Sequence, residues 1–214
     1  RRDPLPRLRE NFFHMCFGSV PDPDVVRCFE ISLVLYAEHS FNASTFTARV
    51  VTSTLSDLYS AVTAAIGALK GPLHGGANEA VMHMLLEIED PQRAETWLDE
   101  ALASKRKIMG FGHRVYKNGD SRVPLMQAAL DRLVARSADP EATRLATLLA
   151  ALRHTMITRK GIHPNLDYPA ASPTTSWAST PPPSPPIFVM SRITGWTAHI
   201  TEQLTHNALI RPLA

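Results

Sequence analysis

The chain has 214 residues, 44% of them hydrophobic, enough for one large domain or two small ones around a buried core. Lys+Arg number 22 against 20 Asp+Glu, a net charge of +2; with no basic stripe interleaved with aromatics, a nucleic-acid partner is not expected, while a small anion held by a few arginines is. Cys16 and Cys28 lack CxxC spacing, so no disulfide framework is expected and a reducing cytoplasm fits; no signal peptide or long uncharged apolar run points to a membrane.

In chain order, nearly every segment reads as helix. The chain begins "RRDPLPRLRE" without Met, so its first residues are not expected to be a natural start. "DPDVVRCFEISLVLYAEH" offers Asp22 as N-cap and Pro23 in the first turn, then Val26, Phe29, Leu33 and Tyr36 at helical spacing. "LSDLYSAVTAAIGALK" repeats the pattern with Leu55, Leu58, Val62, Ile66 and Leu69. After Gly75 and Gly76 a further stripe runs through Ala77, Val81, Met84, Leu85 and Ile88. "DPQRAETWLDEALASKRK" pairs an acidic cap and a first-turn proline with a basic last turn, matching the helix dipole at both ends. "DPEATRLATLLAALRH" starts the same way at Asp139, and "SRITGWTAHITEQL" closes the series. Period-2 alternation is not sustained anywhere, so the expected fold class is all-α. Residues 169–186, "PAASPTTSWASTPPPSPP", hold seven of the 17 prolines and no charge, a composition that predicts a linker rather than a helix.

Three histidines lie in glycine-flanked or polar turns: His39 in "AEHSFNAS", His74 in "GPLHGGANE" and His113 in "GFGHRVYKNGDSR". Glycine beside an imidazole lets a substrate approach the ring closely. A histidine at a helix start has its cation disfavoured by the positive end of the dipole, so it stays neutral and donates one N–H. His74 is therefore read as a neutral donor aimed at a developing oxyanion.

These three stretches, with "PNLDYPA" and "SRITGWTAHITEQ…NALIRP", strongly resemble the citrate synthase family, and "AEHSFNASTFTARV" and "GALKGPLHGGANEAVM" resemble its bacterial 2-methylcitrate and citrate synthases. The resemblance covers nearly all of this chain but only the C-terminal half or so of the family, so the N-terminal helices of the large domain are expected to be missing. It implies a two-domain all-α fold, with a large-domain portion at 1–75 and 188–214 and a small domain at 76–187. It also implies condensation of an acyl-CoA, propionyl-CoA or acetyl-CoA, with oxaloacetate and water to give 2-methylcitrate or citrate plus CoA. By motif position, Asp167 matches the base that removes the α-proton. His74 matches the imidazole that stabilises the enol, and His113 the one that polarises the ketone. His39, Arg122 and Arg192 match oxaloacetate ligands, and Arg211 matches an arginine supplied to the neighbouring subunit's site of a homodimer. A keto dicarboxylate suits bidentate guanidinium partners, and a donor at each carbonyl with one base at the α-carbon suffices for enolisation. No metal and no resident cofactor is expected, the coenzyme A thioester being a substrate. The turn "KIMGFG" matches the nucleotide-binding turn of the family, making the backbone of Met109 and Gly110 candidates for CoA, followed by Asn165 and the pair Arg159-Lys160.

Other residues carry plainer expectations. Lys105, Arg106 and Lys107 read as a solvated helix end, His83, His154 and His199 as ordinary helix residues, and Trp97 and Trp196 as packing. Glu38 and Asn42 either orient His39 or form an ordinary helix end. After the catalytic aspartate, where the family has an apolar helix, this chain has "SPTTSWASTPPPSPP". One codon set for "TTSWASTPPPSP", read in a shifted frame, encodes the family-like "YLMGFDTPAFT", which suggests two compensating frame shifts. Two rival functions stand beside the main reading: a citryl-CoA lyase, against which the lack of a CoA-ligase region argues, and an inactive, dimerising remnant.

Overall fold

The computed structural model describes residues 8–113, 116, 118–171 and 184–212. They form ten α-helices and no strand: α1 (Leu8–Phe17), α2 (Pro23–Tyr36), α3 (Ala43–Ser53), α4 (Leu58–Lys70), α5 (Ala77–Ile88), α6 (Ala94–Ala103), α7 (Val123–Arg136), α8 (Pro140–Lys160), α9 (Asp167–Ala171) and α10 (Ser184–Thr205). A 3₁₀ turn over Pro91–Arg93 precedes α6. The all-α expectation is met. No described helix is long and apolar enough to cross a membrane.

Caps set the helix starts where side-chain chemistry placed them. The Asp22 carboxylate accepts the Asp24 N–H at 2.9 Å. Asn42 caps α3, Asp57 caps α4 and Asp139 caps α8, each taking a first-turn N–H otherwise left without an intrahelical partner. Gly161 ends α8 in the left-handed conformation.

The chain divides into two compact units, Arg1–Ser32 with Ala80–Pro182, and Leu33–Glu79 with Pro183–Ala214. The first is built on α5, α6 and α8, whose buried Val81, Leu85, Ile88, Leu98, Leu148 and Leu152 share one apolar cluster with Tyr168. Within it, Phe12 stacks on Phe29 with ring centres 4.7 Å apart, and Phe13 meets Phe29 edge-on at 5.0 Å. In the second unit α3, α4 and α10 pack on one another around Ala48, Ala61, Ala65, Leu69, Trp196 and Ile200. Residues 1–32, read with the large-domain portion from sequence, here group with Ala80–Pro182.

Three local expectations are corrected. On α4 the buried face is Ala61, Ala65 and Leu69, whereas Leu58 and Ile66 are exposed and Leu55 lies before the helix at 73% exposure. Small side chains let α3 and α10 come close, and the larger apolar residues are left outside. Helix α6 ends at Ala103, so Lys105, Arg106 and Lys107 lie beyond its last turn. Arg106 instead makes a bidentate pair with Glu87 at 2.7 and 2.6 Å. That pair and the Trp97 indole N–H hold the Glu87 carboxyl down to about 2. The proline-rich stretch is helical at its edges, in α9 through Ala171 and in α10 from Ser184, because prolines are compatible with a first helical turn. The linker and frame-shift readings otherwise fall on residues 172–183, outside the described residues.

Candidate active site

In the second unit the turn before α5 presents His74 to the start of α3. The turn hugs α4: a Cβ at Gly75 would sit 2.2 Å from the Leu69 carbonyl oxygen, so only glycine fits after this histidine. Half-buried His74 points Nε2 at Ser44, 2.8 Å from Oγ and 3.3 Å from the backbone N–H. That N–H belongs to the first turn of α3 and can only donate, so Nε2 presents its lone pair and the ring proton sits on Nδ1. Ser44 Oγ is held in turn by the Trp196 indole N–H at 3.1 Å and lies 2.8 Å from Asn42 Oδ1. Trp196 was expected only to pack; it is fully buried and also orients the partner of His74. Burial, and then the positive charge of Arg192, lower the His74 pKa from its ordinary value. The neutral donor read from the sequence is thus favoured by desolvation, a nearby cation and a helix N-terminus together.

Arg192, on α10, is buried; its Nε donates to the Tyr36 carbonyl at 2.6 Å and its guanidinium lies 4.8 Å from the centre of the Phe188 ring. His39 is half-buried in the turn between α2 and α3, where its carbonyl accepts from the Asn42 amide at 3.2 Å. Asn42 therefore has two tasks, capping α3 and bracing the His39 turn. Arg211 is exposed in the C-terminal stretch, which is tied to the end of α3 by Ile210 N–H to Ser53 Oγ at 3.0 Å and by Asn207 to the Ser53 carbonyl at 3.0 Å.

In the first unit two loops are laced together. Asn165 N–H donates to the Gly110 carbonyl (2.9 Å), Gly112 N–H to the His163 carbonyl (2.9 Å), and the Asn165 side-chain amide to the Gly112 carbonyl (3.0 Å). Gly110 takes φ +80°, and a Cβ there would lie 2.7 Å from Val81 and 2.9 Å from Tyr168. This lacing brings the Met109–Gly110 turn, His113 and the Asp167 loop into one neighbourhood. Asn165 is the splint: its Oδ1 also accepts the Asp167 N–H at 3.1 Å, fixing the first residue of α9. The His113 ring packs on Tyr116, centres 4.6 Å apart.

Arg122 forks onto fully buried Asp120, Nε to Oδ1 at 3.0 Å and Nη2 to Oδ2 at 2.6 Å. Asp120 Oδ2 also accepts the Leu166 N–H at 3.3 Å, so the arginine is linked through one carboxylate to the residue preceding Asp167. Sequence reading missed Asp120 and Ser44; a fully buried carboxylate needs a cation, and the "DSR" spacing could have signalled the pair. Arg159 is engaged by Glu95 at 2.5 Å and Asp99 at 3.2 Å. The ten site residues thus fall into two sets, His39, His74, Arg192 and Arg211 in one unit and Met109, Gly110, His113, Arg122, Asn165 and Asp167 in the other. Among the described residues no group of three or more His, Cys, Asp or Glu side chains is arranged to hold a metal ion.

Residues 3–213 match the model of the citrate synthase C-terminal domain. The chain is 62% identical over 206 residues to a citrate synthase of Mycolicibacterium smegmatis, covering 96% of this chain and 54% of that protein. It is 60% identical over 205 residues to a 2-methylcitrate synthase of Mycobacterium tuberculosis, covering 96% and 51%. A solved citrate synthase of Thermoplasma acidophilum, in ternary complex with carboxymethyl coenzyme A and oxaloacetate, superposes with a TM-score of 0.89 at 37% identity, over 99% of this chain and 57% of that one. The chain spans about half the length of the curated relatives it matches. Fold, motifs and relatives agree: this chain belongs to the citrate synthase family.

Proposed function

We propose that the chain supplies the reacting residues of an acyl-CoA:oxaloacetate condensation. The observation that carries this reading is the state of His74, a neutral imidazole whose Nε2 is held by Ser44 and whose Nδ1 carries the proton. Such a group donates a hydrogen bond to a thioester oxygen as charge develops there and does not itself need to ionise.

In the proposed reaction, ionised Asp167 takes the α-proton of the acyl-CoA while His74 Nδ1–H stabilises the enol oxygen. His113 polarises and then protonates the oxaloacetate ketone as the new carbon–carbon bond forms, and water hydrolyses the thioester to release CoA. His39, Arg122 and Arg192 hold the oxaloacetate carboxylates, with Arg122 shared between substrate and Asp120. The backbone of Met109 and Gly110, with Asn165, lies along CoA. The Asn165 splint supports this assignment, since the same side chain braces the CoA turn and the catalytic aspartate loop. Arg211 serves the site of a second copy, the enzyme being a homodimer in the cytoplasm, in the tricarboxylic acid cycle or propionate metabolism. The donor is propionyl-CoA or acetyl-CoA, with propionyl-CoA favoured by the "EHSFNASTFTARV" pattern; a single methylene is worth only about 1–3 kcal/mol of discrimination.

Thiol release tests the reading directly, with the purified chain, oxaloacetate and each acyl-CoA in turn. Release is expected with both donors, faster with propionyl-CoA, and abolished in His74→Ala and Asp167→Ala. Folded protein that releases no thiol from either donor would overturn it.

A further inference from the structure

The turn that carries His39 is held against α10 by Arg192 and by further groups, Ser191, Gly195 and His199, that no role above employs. Helix α10 presents residues 191, 192, 195 and 199 along one face, the three- and four-residue spacing of neighbours on a helix. Ser191 Oγ donates to the Leu33 carbonyl and Arg192 Nε to the Tyr36 carbonyl. At Gly195 the backbones touch: a Cβ would lie 2.2 Å from the Ala37 carbonyl oxygen and 3.3 Å from Glu38 Cα. One turn further on, His199 Nε2 meets Glu38 Oε1 at 3.0 Å. The other Glu38 contact is local, since Oε1 also accepts the Ser40 N–H. Ser40 has φ +49°, a left-handed conformation that a non-glycine residue holds only when its surroundings impose it.

His199 is itself oriented. Arg49 Nη1 lies 3.0 Å from His199 Nδ1; a guanidinium only donates, so Nδ1 is the acceptor and Nε2 carries the proton given to Glu38. Arg49 is locked by Gln203 Oε1 at 3.1 Å and Glu202 Oε2 at 2.5 Å. The Phe41 ring, from the same turn, covers both: its centre is 4.9 Å from the Arg49 guanidinium carbon and 5.5 Å from the His199 ring. His199 and Arg49 keep only 13% and 12% of their side-chain surface exposed, whereas the Glu38 side chain is 53% exposed, so the relay is packed at its arginine and imidazole and open at its carboxylate.

We propose that Arg49, His199 and Glu38 form a positioning relay that fixes the His39 turn, Arg49 setting the His199 tautomer, His199 aiming the Glu38 carboxylate, and Glu38 pinning Ser40 in its left-handed conformation so that the imidazole between them has one orientation. These are positioning residues; none is assigned contact with substrate. Their effect on oxaloacetate rests on the reading of His39 given above, whereas the relay itself does not.

Two measurements on the full 214-residue chain keep those claims apart. Amide hydrogen exchange of the peptide spanning residues 37–42 is expected to quicken about tenfold or more in His199→Phe and Arg49→Ala, with α4 unchanged, because a charge-assisted hydrogen bond is lost. His199→Gln, which keeps an N–H for Glu38, is expected to restore protection. Unchanged exchange in both His199→Phe and Arg49→Ala overturns the relay. In steady-state thiol release, His199→Phe is expected to raise the oxaloacetate KM about tenfold with kcat and the acyl-CoA KM within about twofold, again rescued by His199→Gln. A uniform fall in kcat with unchanged KM would overturn a positioning role at the oxaloacetate site. A wild-type chain with the expected exchange pattern but no oxaloacetate binding by calorimetry would support the relay and refute the role given to His39.

Discussion

At the scale of single residues, the chemistry turns on which groups are made neutral and which are held. Ser44 receives the Trp196 indole N–H and faces His74 with both its hydroxyl and its amide. Ser44→Ala takes the acceptor from the buried Trp196 indole N–H and leaves His74 Nε2 only the Ser44 backbone N–H, and a loss of about 1–3 kcal/mol in denaturant unfolding is expected, with a larger relative fall in thiol release. The pH dependence follows from the lowered pKa of His74. The unfolded chain takes up that proton first, near its ordinary value of about 6.5, so the native state loses stability as pH falls below that value and gains nothing above it. Urea midpoints at pH 7.5 and 5.5 are expected to differ less in His74→Gln than in the wild type; an equal difference would remove His74 as a source of acid sensitivity. Cys28 is the opposite case, a thiol pushed up to about 12 by burial and so inert to mild alkylation in the native state.

At the scale of elements, two caps of the same kind do unlike work. Asn42 accepts the Thr45 N–H at 3.1 Å at the head of α3, and Asp139 accepts the Glu141 N–H at 3.0 Å at the head of α8. Replacing either by Ala is expected to cost about 1 kcal/mol of stability, as for caps generally. Only Asn42→Ala should also slow thiol release, because Asn42 braces the His39 turn and touches Ser44 Oγ. Equal activity in the two variants at equal stability would show that α3 is no more than scaffold. The loop pair around Gly110 and Asn165 makes the same point in the other unit, where three hydrogen bonds replace a regular element. Asn165→Ala is expected to release that lacing and lower kcat at least tenfold, read against unfolding to separate loss of fold from loss of alignment.

At the scale of the whole molecule, the second unit leaves a row of large apolar side chains on and beside α4. Leu58 is 46% exposed, Tyr59 82%, Ile66 39% and Leu73 91%, with Leu55 before the helix. Large apolar side chains exposed in this number on one element are normally covered, and a second copy is the occupant the proposed homodimer supplies. Sedimentation velocity of Leu58→Lys/Ile66→Lys is expected to show a shift from dimer to monomer with helix content retained; an unchanged dimer would place the interface elsewhere.

The amino-acid sequence by itself determined the helical class, most helix starts and the residue types of the candidate site. Those are set by short-range rules: a carboxylate or amide reaching the N–H two or three residues on, apolar spacing at three and four, and glycine where a backbone must approach. The citrate synthase motifs were legible for the same reason, being runs of adjacent residues. Tertiary structure alone decided which apolar face of α4 is buried, since Ala61 and Ala65 win over Leu58 and Ile66 only because α3 and α10 come close. It alone decided that Ser44 and Trp196 orient His74 and that His199 belongs to the His39 turn. Those contacts join residues 30, 152 and 161 positions apart, and hydrogen-bond geometry at such separations is fixed by packing and not by local propensity.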